Sequence, residues 1–243
     1  MLICEQPDGA ALCIGQASHA WLSGQLARAW AWEPRPGEEM CLAAEQHDVG
    51  MAQGDLNPAL DEATGRPVGF MDMALADHLA LWSAAPAHLF TQSRHAALLV
   101  SLHGTRLYAM RDLDAMGAAD AEAVRDYLAA QRVLQERLAA EVGATPGELR
   151  RDQARLFCWD GLSLALCLGW APYKTPEVDG RTITLRAAGD GAHTLDPWPF
   201  APLELTVRCE GRLLRERATS DADLHAALER AQRVDLRFAL RSG

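Results

Sequence analysis

The sequence predicts a mainly α-helical fold carrying a small antiparallel β-subdomain, and three observations predict it. Apolar residues recur at helical spacing through most of residues 17–172. Beyond Pro172 the apolar period drops to two, with Gly, Asp and Pro between the runs. At the other end, Leu2-Ile3-Cys4 and Ala11-Leu12-Cys13-Ile14 flank the turn signal Pro7-Asp8-Gly9, which reads as a β-hairpin. A lone hairpin is marginal in water and needs partner strands. The expected organisation is therefore a helical core over 17–172 and a β-rich subdomain built from 1–16 together with 173–243.

Taken in order, Ser18 is a candidate cap for a helix to about Trp32, with His19, Leu22, Leu26, Ala29 and Trp30 on one face. After Pro34-Arg35-Pro36-Gly37, acids at Glu38 and Glu39 open a second helix whose stripe holds Met40, Ala44, His47 and Met51, with Asp48 about 100° further round. Residues 52–70 are rich in Gly, Pro, Asp and Asn and form a candidate lid loop. A helix over about 71–85 aligns Met71, Leu75, His78 and Trp82. Another, from about Pro86 to Leu102, places His103 at its C-terminus before a Gly104 stop. The segment 118–141 is amphipathic scaffold, and Thr145-Pro146-Gly147-Glu148 is a capping box opening a helix to Leu168 that carries Asp160 on a largely apolar seam. The later runs 182–185, 203–207, 212–214 and 234–238 read as strands, with a short helix at 221–231.

Composition excludes several classes of function. A formal charge of −10 disfavours generic nucleic-acid binding, and the only lysine is Lys174, so arginines would have to supply any phosphate contact. No apolar run approaches the ~20 residues of a membrane span, so no membrane partner is expected. The first residues show no basic stretch followed by a long apolar one, which predicts a cytoplasmic protein. Six cysteines without a CxxC pair suit reduced, packed thiols.

His19, His47, Asp48, His78, His103 and Asp160 stand out because each lies on, or borders, an apolar helix face. A single histidine so placed is ordinarily a hydrogen-bonded core residue. Several buried ionisable groups together are costly unless they pair with one another or share a cation. A shared cation is the economical solution, and a His-rich set with two carboxylates suits Fe, Mn, Ni, Co or Zn, as one or two ions. His88, His95, His193 and His225 lack that placement.

The order of these residues, an early helical His19, the doublet His47-Asp48 and Asp160 within Cys158-Trp159-Asp160-Gly161-Leu162-Ser163, resembles the HD superfamily of metal-dependent phosphohydrolases. The nearer resemblance is to an uncharacterised bacterial family with an HDxGW-type core. It implies an HD-like helical bundle in which His19, His47, Asp48 and Asp160 bind one ion, with Asp48 bridging to a second held by His78 and His103. Met51 stands where HD-GYP phosphodiesterases carry a lysine, and no GYP tripeptide follows, so cyclic dinucleotide hydrolysis is not implied. The implied reaction is attack of a metal-activated water on a small phosphorylated substrate, with Asp48 catalytic and Arg106 a candidate phosphate contact. Glu45 and Asp77 are candidate orienters of the ligands. A diiron oxygenase using the same ligands and a non-catalytic scaffold with a relic site are the alternatives. Oligomeric state is open, a homo-oligomer included.

Overall fold

A computed structural model describes all 243 residues. Its chain begins with the expected hairpin, β1 (Leu2–Glu5) and β2 (Ala11–Ile14), then runs through α1 (Gln16–Ala29), α2 (Glu38–Gln46) and the short α3 (Ala52–Leu56). A two-stranded ribbon, β3 (Leu60–Asp61) and β4 (Arg66–Pro67), leads to α4 (Leu75–Ala84), α5 (Arg94–Ala109), α6 (Ala118–Val142) and α7 (Pro146–Leu168). The C-terminal part holds β5 (Tyr173–Lys174), β6 (Thr184–Ala187), β7 (His193–Asp196), β8 (Glu204–Leu214), α8 (Asp221–Arg230) and β9 (Gln232–Ser242). No helix is long and apolar enough to cross a membrane.

The expectation of a mainly α bundle with a small β appendage is overturned. All strands except the β3–β4 ribbon join one seven-stranded sheet in the order β1-β2-β8-β9-β7-β6-β5, curled into a half-barrel, and helix accounts for only 51% of the chain. Nor is the sheet purely antiparallel, because β7 and β9 pair in parallel. The size of the sheet comes from β8 and β9, each 11 residues long and paired from Glu204↔Arg241 to Leu213↔Gln232. The sequence reading broke β8 over 208–211, yet the strand passes straight through. There Gly211 lets β2 approach, since a Cβ would meet Leu12 Cδ1 at 2.8 Å.

Beyond Gly211 toward its start, β8 has no strand on the β2 side, and α1 covers that edge. Ser18 Oγ donates to the Glu210 carbonyl and accepts from the Glu210 amide, both at 2.8 Å. Gln25 donates to the Arg208 carbonyl and accepts the Arg208 amide. Two side chains thus complete backbone groups that a strand edge would otherwise leave open. Ser18 is therefore not the cap of α1, which begins after Gly15 without a side-chain cap.

One apolar core runs through helices and sheet together, from Leu2 and Ile14 through Leu22, Leu99 and Trp159 to Val207 and Leu240. The α7 start is the predicted capping box, with Thr145 and Glu148 bonded reciprocally. The α5 boundaries differ from expectation. Pro86 belongs to a 3-10 turn, Ser93 caps the helix by accepting from the Ala96 amide, and the helix runs through Gly104 to Ala109. Gly104 is a contact point and not a stop, because a Cβ there would lie 2.6 Å from both Trp82 Cε3 and the Tyr127 hydroxyl. His103 consequently sits inside a continuous helix.

Candidate metal centre

Four elements aim polar side chains at one point in the core. Helix α1 brings His19, the end of α2 brings His47, α5 brings His103 and α7 brings Asp160. Asp48 sits where the chain leaves α2 for a 3-10 turn over Val49–Met51. Gly50 in that turn packs directly on the following layer, where a Cβ would meet the Leu81 carbonyl at 2.6 Å and Ala85 Cβ at 2.8 Å. The small residue allows the turn to seat against Ala85 and so fixes where Asp48 points.

The five side chains are almost wholly buried: His47 is 0% exposed, His19 and His103 1%, Asp48 5% and Asp160 7%. His19 Nε2 lies 2.6 Å from Asp48 Oδ2. His47 Nε2 lies 3.3 Å from Asp160 Oδ1 and 3.6 Å from Asp48 Oδ2, and His103 Nε2 lies 3.5 Å from Asp160 Oδ2. Ligand atoms of His19, His47 and Asp160 all fall within 4.8 Å of one another.

The outer hydrogen bonds assign the tautomers. His47 Nδ1–H donates to the Ala44 carbonyl at 2.9 Å, which turns Nε2 toward the carboxylates of Asp48 and Asp160. Ser163 Oγ donates to the Asp160 carbonyl and accepts from Ser23 Oγ, so His19 Nδ1 faces it as a donor at 2.9 Å. Two imidazole Nε2 atoms therefore point at two carboxylates. Lone pair against anion is repulsive unless a proton or a cation lies between them, and the donor set fits a first-row transition metal. His–carboxylate centres of this kind rely on outer partners to hold the rings, the part played here by Ser163 and Ala44.

Electrostatics agree with this geometry. Burial opposes charge on His47, but Asp48 and Asp160 outweigh it and push its pKa up to about 9. Burial likewise opposes ionisation of Asp48, yet His47, His19 and His103 hold its carboxyl well below the ordinary range. Asp160 is lowered against burial by His47, His103 and His19. His103 goes the other way: burial drives it down to about 4 against the opposing pull of Asp160, with His47 adding to the lowering, so it is neutral near pH 7.

A cavity of about 310 Å³ opens over the cluster and is lined by His19, Asp48, His103 and Asp160 together with His78. His78 stands apart from the ligand group although it lines the same cavity. Trp82 Nε1–H donates to its Nε2 at 3.2 Å, and its Nδ1 is hydrogen-bonded to the Tyr108 hydroxyl. Both ring nitrogens are engaged, and burial keeps the imidazole neutral, with Arg111 reinforcing that effect against Asp48. The second ion expected on His78 and His103 has no pair of free donors in this arrangement.

Arg106 is not among the residues lining the cavity. Its guanidinium stacks 4.2 Å above the Phe157 ring, and the arginine that does line the cavity is Arg111. Glu45 pairs with Arg28 on the surface and Asp77 is exposed, so neither orients a ligand. The candidate lid contains α3 and the β3–β4 ribbon; its last residue, Phe70, and the following Met71 and Met73 line the cavity. Sequence reasoning passed over Ser23, Tyr108 and Arg111, and quoted Ser163 only as the end of the segment that carries Asp160. Ser23 lies four residues after His19 and Ser163 three after Asp160, a helical spacing that carried the signal. Arg111 follows the end of α5, where no periodicity applies.

The family profile described as "Protein of unknown function (DUF3891)" matches residues 1–216. No match was found among curated proteins or among solved structures.

Proposed function

We propose, for a chain that belongs to the DUF3891 family of proteins of unknown function, that His19, His47, Asp48 and Asp160 hold one divalent transition-metal ion and that the protein hydrolyses a small phosphoester in the cavity above it. The observation that carries this reading is the pair of imidazole Nε2 atoms, their rings held by Ser163 and Ala44, directed at two ionised carboxylates beside the cavity. When bound, an ion of Fe, Mn, Ni, Co or Zn supplies Lewis acidity toward a phosphoryl oxygen and acidifies a water molecule.

The remaining work falls to the chain. Asp48 and Asp160 stay ionised at neutral pH and balance the cation's charge. His103 is neutral, and its Nε2 lies 3.5 Å from Asp160 Oδ2 among the cavity-lining residues, where it can hydrogen-bond and orient a water. The apolar side chains of the wall lower the local polarity and strengthen each charge interaction beside them. The order His19, His47-Asp48, Asp160 resembles that of the HD phosphohydrolases, which favours phosphoester hydrolysis over other metal chemistry. That resemblance is confined to the cluster, since the seven-stranded sheet is no part of a helical HD bundle.

Turnover of 4-nitrophenyl phosphate by Mn(II)- or Co(II)-loaded protein tests the reading. Activity is expected in the wild type and should fall to background in Asp48→Ala. Absence of hydrolysis of any aryl or alkyl phosphate by fully loaded protein would refute it.

A further inference from the structure

The cavity wall has a composition that hydrolysis alone does not require. Phe70, Met73, Leu75, Trp82, Leu107 and Leu164 line it, and among all its lining residues Arg111 is the single arginine or lysine. Arg111 is exposed, lies just past the end of α5, and is held by a cation-π contact with Tyr108, its guanidinium 4.8 Å from the ring centroid, and not by a carboxylate. The guanidinium thus keeps its donors free at the rim of a site whose floor is anionic.

This pattern limits what can enter. A nucleoside polyphosphate brings several charges that one guanidinium cannot match, and Gln16 is the one amide side chain on the lining to meet sugar hydroxyls otherwise set against leucine, methionine and phenylalanine. The volume of about 310 Å³ is at the small end of the range for ligand sites, roughly 300–1,000 Å³, and suits a compact body.

We propose that Arg111 is the specificity-determining residue of this cavity and that its ligand is a small monoester with one phosphoryl group on an apolar aryl or branched-alkyl body. The inference rests on the hydrolase reading for the word ester, while the anion subsite and the apolar wall are tested by binding alone.

Calorimetric titration of the full chain, with and without Mn(II), against two non-hydrolysable probes separates these parts: phenylphosphonate and 2-hydroxyethylphosphonate share a head group and differ in body. Phenylphosphonate should bind about tenfold or more tightly than the hydroxyethyl probe, through burial of its ring. R111Q should weaken both probes about tenfold or more while preserving the preference for phenyl, and R111K should retain most of the affinity. Because Arg111 is exposed, neither substitution threatens the core. Equal binding by R111Q and wild type, or equal binding of the two probes, would overturn the proposal. Weakened binding in R111Q without hydrolysis of any ester would refute the hydrolase reading and support the subsite. Hydrolysis indifferent to the ester's body and to Arg111 would do the reverse.

Discussion

His47 and Asp48 set how the protein responds to pH. In the metal-free chain, the proton on His47 sits between two carboxylates, and its pKa is up to about 9 against an ordinary value of 6.5. A raised histidine pKa adds stability that is complete below about 6.5 and is lost as pH rises through about 9. Asp48 and Asp160 are lowered, so their contribution is present above the ordinary value of 3.8 and fades in acid. A metal ion competes with the His47 proton, which reverses the dependence for binding. Apparent affinity should climb by up to about tenfold per pH unit between 6.5 and 9 and then level off, measured by Mn(II) or Zn(II) titration with proton release. Affinity independent of pH across that window would show that His47 is not a ligand. Most of this residue-scale picture was legible from spacing, because five of the six residues on apolar helix faces do converge. Spacing could not show that Trp82, one turn after His78, and Tyr108 take both nitrogens of that ring, nor that Phe157 on a different helix captures Arg106.

Gly104 shows how an element is set by what packs on it. Read from sequence it resembles a stop signal, since glycine after an apolar stripe commonly ends a helix. In the fold it lies inside α5, where Trp82 and Tyr127 press against the bare backbone. Gly104→Ala improves helix propensity by about 1 kcal/mol but forces a methyl into a closed contact, for which overpacking costs about 1–3 kcal/mol. The contact is with a buried indole carbon at 2.6 Å, so the steric cost wins. Urea denaturation should show a lower midpoint for this variant at an unchanged slope. An equal or higher midpoint would mean that Trp82 can move aside freely. The same limitation explains β8: Gly211 has turn-forming composition, but the close approach of β2 is a tertiary fact that local sequence does not carry.

At the scale of the whole molecule, helices and sheet share one apolar core, and α1 serves both the metal centre and the β8 edge. The two parts should therefore unfold together. Far-UV circular dichroism, which follows the helices, and hydrogen exchange of the paired β8–β9 amides should report the same unfolding transition across a urea series. Separate transitions would mean that the sheet and the helical layer are independent units. The helical part of this architecture was readable from its 3.6-residue period and its capping box. The sheet was underestimated because strand order, the length of β8 and β9 and the parallel β7–β9 pair depend on contacts between residues far apart in sequence.

The metal centre is the claim on which the functional reading stands, and elemental analysis of untagged protein tests it most directly. Wild type should carry close to one equivalent of a first-row transition metal. Asp48→Ala should lose it, and His78→Ala should retain it because His78 is engaged by Trp82 and Tyr108. Wild-type protein that takes up no metal after incubation with Mn(II), Fe(II) or Zn(II), or an Asp48→Ala variant that binds as well as wild type, would contradict the account.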